Sequence, residues 1–193
     1  MSVKIIVDST TDLLPSIREQ VTVVPLTVCF GQEEFTDGVT ISHEQFYEKL
    51  VECDVLPTTS QASPAAFIRV LSETLAPGDS ALILTLSSEL SGTYQSAVIA
   101  AGEFEEVFVV DSSSVAIGTG ILTEYALECV KKGMSAKEIA EEIERKKKDV
   151  CVIAMLDTLE YLKKGGRISS TAAFAGGILN IKPVVNIENG RIN

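Results

Sequence analysis

Histidine is almost missing from these 193 residues, with His43 standing alone. One imidazole and four cysteines scattered at positions 29, 53, 129 and 151 cannot make a zinc site. There is no C-x-x-C pair, and cysteines spread this widely read as reduced core residues rather than a disulfide framework. Positive charge is scarce as well: 16 Lys and Arg face 27 Asp and Glu, for a formal charge of −11. A pI near 4.6 argues against nucleic acid, whose phosphates demand a basic face, and disfavours anionic membrane surfaces. Long apolar runs are lacking too. The mean hydropathy is +0.26, yet the apolar residues come in short runs such as 81–84 and 107–110. None approaches the ~20 residues that span a bilayer, so no transmembrane segment is expected. The N-terminal stretch meets Asp8 too soon for a signal-peptide core. This pattern describes a soluble cytoplasmic protein, long enough to bury a real core in one large domain or two modest ones.

What is present is an alternation of apolar strands with capped helices. Residues 3–7, interrupted only by Lys4, read as a buried strand, and the β-branched run 21–30 reads as another. Gly31-Gln32 is a hairpin turn leading into residues 33–35. Ser42 with Gln45 makes a capping box for a helix through Leu50, and Ser63-Pro64 opens a helix that stops before Pro77-Gly78. A strand at 81–86, a helix at 93–101, a strand at 107–110 and a long helix from about 115 to 132 follow. Ser135 with Glu138 is a second capping box, whose helix ends in the basic residues 145–148. Such alternation implies βαβ units: a parallel-sheet, three-layer α/β domain over 1–148. Beyond it come a strand at 150–156, a short helix at 158–164 stopped by Gly165-Gly166, and a strand at 184–187. That strand enters Asn189-Gly190, a strong hairpin signal followed by only three residues. The expectation is therefore a second α/β domain beginning at 149 and cut short within 149–193.

Ligands of open parallel sheets bind beyond the carboxyl ends of the strands. Three such ends are rich in hydroxyls: Asp8-Ser9-Thr10-Thr11, Ser87-Ser88-Glu89-Leu90-Ser91-Gly92-Thr93 and Asp111-Ser112-Ser113-Ser114. Ser91-Gly92-Thr93 at a helix start offers hydroxyl and backbone donors to a carboxylate or phosphate, and Gly92 permits close approach. The competing reading is plain helix capping, for which Ser and Thr are the ordinary residues. Pro57-Thr58-Thr59-Ser60-Gln61 reads by composition as a connector. His43 follows the Ser42 cap and reads as a solvated residue rather than a base. No G-x-S-x-G elbow, phosphate-binding P-loop or dinucleotide fingerprint occurs. Glu141, Glu142 and Glu144 read as a solvated helix face. Lys163 and Lys164 suit a helix C-terminus, whereas Arg167, beyond the glycines, is open to a phosphate or an acidic partner.

Four of these motifs, Asp8-Ser9-Thr10, Thr59-Ser60-Gln61, the 87–93 loop and Gly165-Gly166-Arg167-Ile168, resemble in order and spacing the signatures of the DegV family. The likeness runs the length of the chain. It implies a bacterial fatty-acid-binding protein with two α/β domains and the lipid between them, related in fold to the substrate subunit of dihydroxyacetone kinase. In some members the bound acyl chain is presented to a fatty acid kinase. Carried over by position, Thr59 and Ser91 would bind the lipid carboxylate, with the Gly92 N–H and Ser60 beside them and Arg167 at the head-group or kinase-facing edge. Ala62 stands where many members have proline. The resemblance implies a carrier and not an enzyme: no catalytic residue, metal or cofactor follows from it. Two other readings of the residues remain, a serine-dependent acyl hydrolase or transferase using Ser91, and a hydroxyketone-binding subunit of a phosphotransfer system using His43.

Overall fold

The computed structural model describes residues 2–53, 55–168 and 182–193. In chain order its elements are β1 (Val3–Asp8), α1 (Pro15–Arg18), β2 (Thr22–Val24), β3 (Thr27–Phe30), β4 (Glu33–Thr36), α2 (His43–Glu52), β5 (Thr58–Ser60), α3 (Pro64–Thr74), β6 (Ser80–Thr85), α4 (Thr93–Ala101), β7 (Val107–Asp111), α5 (Ile117–Lys131), α6 (Ala136–Lys146), a 3₁₀ turn (Lys147–Asp149), β8 (Val152–Met155), α7 (Glu160–Lys164), β9 (Val184–Glu188) and β10 (Arg191–Ile192).

The main sheet is four-stranded and wholly parallel, in the order β2-β1-β6-β7. Its two-residue period distributes the apolar side chains between two cores. Ile5, Val7, Leu82, Leu84 and Val110 face α5 and α6, where Leu122, Ala126, Ile139 and Ile143 meet them. Ile6, Val24, Ala81 and Ile83 face α3 and α4, against Phe67, Leu71, Ala97 and Ala100. This is the three-layer α/β arrangement expected of residues 1–148. Both capping boxes form: the backbone N–H groups of Gln45 and Glu138 donate to the hydroxyls of Ser42 and Ser135, and the Gln45 and Glu138 side chains accept the backbone N–H of the same serines.

Two features depart from the reading of the sequence. The run 21–30 is not one strand. It breaks at Pro25, which has no N–H for the ladder, and β2 stays with β1 while β3 turns away. The polar connector at 58–60 is a strand, antiparallel to β3 with Thr59 opposite Val28. Together β4, β3 and β5 form a small antiparallel sheet over its own cluster of Val28, Phe30 and Ile41, joined by Phe35 and Phe46. A polar strand carries no apolar period, so only its pairing reveals it.

The third sheet is antiparallel, in the order β10-β9-β8. Asn189 and Gly190 both have positive φ, 51° and 78°, as the two-residue hairpin turn requires. The short return strand is paired: Asn186 and Asn193 exchange backbone hydrogen bonds of 2.9 Å in both directions. Within the span 149–193, residues 169–181 lie outside the described residues. Among the described residues no helix is long and apolar enough to cross a membrane.

Candidate functional site

The three hydroxyl-rich strand ends turn out to differ. At the end of β1, buried Asp8 accepts bonds from the Thr10 N–H (3.0 Å), the Thr10 hydroxyl (2.6 Å) and the Leu86 N–H (2.7 Å). Burial pushes its carboxyl above the ordinary value, and the bonds from Thr10 and Leu86 pull the other way. Ser9 accepts the Leu26 N–H at 3.0 Å. These groups tie β1 to β6 and to the crossing after β2. At the end of β7, Asp111 accepts the Ser88 N–H (3.2 Å) and hydroxyl (2.5 Å) and the Ser113 N–H (2.7 Å). Here too the polar groups serve the architecture, but not as helix caps: the N-caps of α1 and α5 are Leu14 and Ala116, neither with a side-chain cap bond.

The loop after β6 is different. Ser91 is half-buried, its hydroxyl 2.9 Å from that of Thr93 and accepting the Thr93 N–H at 3.3 Å. Gly92 occupies the N-cap of α4 with no side-chain cap. A Cβ built there would collide with the Gln61 carboxamide, because the segment after β5 lies directly upon it. Gln61 is itself anchored, donating to the Ser96 hydroxyl at 2.9 Å. The end of β5, which bears Thr59, and the loop of Ser91 are thus neighbours through Gln61 and Gly92.

Arg167 arrives from the other side. Its Nε donates to the Leu90 carbonyl at 3.2 Å, and Nη1 donates to the Gly165 carbonyl. It shares with Thr59 a cleft of about 570 Å³ that Phe46, Leu50, Leu56, Tyr161 and Lys164 help to line. Lys164 pairs with Glu160 at 2.6 Å, which fits its reading as a helix-end cation.

Of the expected site residues, then, Thr59 and Arg167 meet in one cleft, and Ser91 and Gly92 sit in the adjoining loop. Ser60 is exposed beside them. No hydrogen bond joins Thr59 to Ser91 among the described residues. His43 lines a separate cleft of about 530 Å³ with Ser9, Arg18 and Asp37. The residues that sequence reasoning missed are Phe46 and Leu50, and it named Ser87 in the hydroxyl-rich loop without reading its role beneath it. Phe46 and Leu50 are four apart on α2, a spacing that does signal a shared apolar face. Ser87 gives no such signal, since its side-chain partner, Gly190, lies 103 positions away. Among the described residues no group of three or more His, Cys, Asp or Glu is placed to hold a metal.

A parallel sheet between two helical layers, with polar loops gathered at its carboxyl edge next to a cleft with apolar walls, is the arrangement in which open α/β folds place their ligand sites. Comparison with known proteins narrows this. Residues 2–193 match the family described as an uncharacterised protein, DegV family. The chain is 39% identical over 196 residues to a DegV domain-containing protein of Deinococcus radiodurans, covering 100% of this chain and 70% of that relative. This chain belongs to the DegV family. Its structure is similar to that of the fatty-acid-binding DegV family protein of Thermus thermophilus, with a TM-score of 0.88 and 38% identity, covering 100% of this chain and 70% of that one. It is likewise similar to the Streptococcus pneumoniae Fatty Acid Kinase (Fak) B3 protein loaded with linoleic acid, with a TM-score of 0.88 and 25% identity, covering 100% and 71%. The resemblance carried by the four motifs holds over the matched length.

Proposed function

We propose that this protein binds a long-chain fatty acid and presents its carboxyl group to a fatty acid kinase, acting as a carrier and not as a catalyst. Thr59 and Ser91 hold the carboxylate, the Gly92 N–H and Ser60 flank it, and Arg167 marks the edge facing the head group or the partner. The tail runs between the 1–148 domain and a second α/β domain that starts at 149. One observation carries this reading: Thr59 and Arg167 share an apolar-walled cleft while Arg167 also grips the loop of Ser91. The fatty acids of the Thermus and Streptococcus proteins support the ligand class, and the latter supports a kinase as partner.

The energetics suit a carrier. Burying ~14 methylenes at ~0.8 kcal/mol each gives about 11 kcal/mol gross. Two hydroxyl bonds to the carboxylate add about 1.5–3 kcal/mol each, less than the tail in total, so the tail supplies most of the affinity and the hydroxyls supply orientation. The serine-hydrolase reading needs a base at Ser91, whose hydroxyl is paired with Thr93, while His43 lines the other cleft. Solvent extraction of the purified protein followed by mass spectrometry should release long-chain fatty acid. In a binding assay Ser91→Ala should cost about 1–3 kcal/mol of affinity, through a head group left unpaired. Extracts without acyl compounds, together with no affinity for added fatty acid, would remove the proposal.

A further inference from the structure

We infer that Ser87 and Gly190 are positioning residues for the Ser91-Gly92 loop, with the β9–β10 hairpin acting as a clasp that holds this loop in its binding geometry. The inference rests on the carboxylate-binding reading of that loop and adds what controls it.

Ser87 is the node from which the loop is built. Its carbonyl accepts the N–H groups of Leu90 (3.0 Å) and Ser91 (3.2 Å), and its own N–H donates to the Ser114 carbonyl at 2.7 Å. Its fully buried hydroxyl donates to the Gly190 carbonyl at 2.7 Å and accepts the Glu89 N–H at 3.2 Å. That single side chain therefore joins the hairpin tip to the turn that carries Ser91. Two flanking contacts reinforce it. Arg191 reaches one carboxylate oxygen of Glu89 with Nε at 2.8 Å and Nη2 at 2.6 Å, and Arg167 donates to the Leu90 carbonyl at 3.2 Å. Residues 87, 89 and 90 are each held from the distal part of the chain.

Gly190 is required on two counts. Its φ of +78° lies in the left-handed region, and a Cβ built there would run into the Ser87 hydroxyl. Only a bare tip fits. The geometry of the Ser91 hydroxyl and Gly92 N–H is thus set by the hairpin, through Ser87, as much as by the loop's own residues. A loop held ready before the ligand arrives saves the ordering cost on binding, so loosening the clasp lowers affinity without removing any ligand contact. The buried Ser87–Gly190 bond outweighs the Glu89–Arg191 pair, whose side chains are 43% and 69% exposed.

Two measurements on the full chain test this: backbone hydrogen exchange at 88–92 without ligand, and oleate affinity by calorimetry. Gly190→Ala should speed exchange at 88–92 by about tenfold or more, because the local opening becomes cheaper. It should weaken oleate binding about tenfold as preorganisation is lost. Arg191→Ala removes only an exposed pair, so the chain still folds, and its effect on both readouts should be about two- to fivefold. Combining Glu89→Arg with Arg191→Glu should restore both towards wild type, which loss of generic packing would not allow. Should Gly190→Ala not fold, the Arg191→Ala and charge-swap variants decide the question. Unchanged exchange overturns the clasp. Faster exchange at unchanged affinity overturns the positioning role. No oleate binding by the wild type sinks the carboxylate reading and the positioning role with it, while exchange still decides whether the clasp exists.

Discussion

The parallel sheet β2-β1-β6-β7 and the antiparallel sheet β10-β9-β8 are built from similarly apolar strands, yet they are treated differently by the rest of the chain. Leu82 and Ile83 at the centre of the first are fully buried, one under each helical layer. On β8, Ile153 and Met155 share one face, with Val184 opposite Met155 on β9, and all three are more than half exposed. The first sheet owes its cover to its connections: parallel strands need crossovers, and the crossover helices lie on both faces. In the second sheet β9 and β10 are joined by a two-residue turn, and the β8–β9 connection carries α7 together with residues 169–181, which lie outside the described residues.

The contrast can be broken or sharpened experimentally. Leu82→Ala should have the largest effect, destabilising the fold by about 2–5 kcal/mol through a cavity between β6 and the α5–α6 layer, as read by chemical denaturation. A cost below that of an exposed substitution would mean that the first sheet is not the stabilising core.

Asp8→Asn comes next, at about 1–2 kcal/mol from weakened bonds to Thr10 and Leu86. Its pH dependence is more telling than its size. Burial raises the Asp8 carboxyl above 3.8, so just above that pH the native state binds more protons than the unfolded chain. This contribution is complete below 3.8 and is lost as pH rises through the folded value. Asparagine has no such slope, so the deficit of the variant should shrink as pH is raised from 3.8. A deficit that widens instead would show that the three hydrogen bonds outweigh burial.

Ile153→Lys should have the smallest effect, within about 0.5 kcal/mol, because the side chain is 68% exposed. A penalty comparable to that of Leu82→Ala would erase the comparison and show that the outer face of β8 is covered in solution.

Much of this was legible in the residues themselves. Ser42 with Gln45, Ser135 with Glu138 and Ser63-Pro64 announce helix starts because each cap closes within three residues. Asn189-Gly190 and Gly31 announce turns because those backbone angles are local properties. The break at Pro25 was legible in principle, since a missing N–H ends a ladder, but its consequence was not: β2 and β3 serve different sheets. The polar strand β5 was invisible, because its only evidence is its partner. At the site, the motifs of Thr59, Ser91 and Arg167 could be named from resemblance, yet composition alone made Thr59 part of a connector.

The sequence by itself determined the helix caps, the turns, the apolar periods and the family, all of which depend on residues a few positions apart or on motifs in order. Tertiary structure alone decided that Gln61 lies against Gly92, that Thr59 and Arg167 share a cleft, and that Gly190 meets Ser87 across 103 positions. Those contacts join segments whose separation along the chain carries no periodic signal, and only the packing of sheets and loops brings them within hydrogen-bond range.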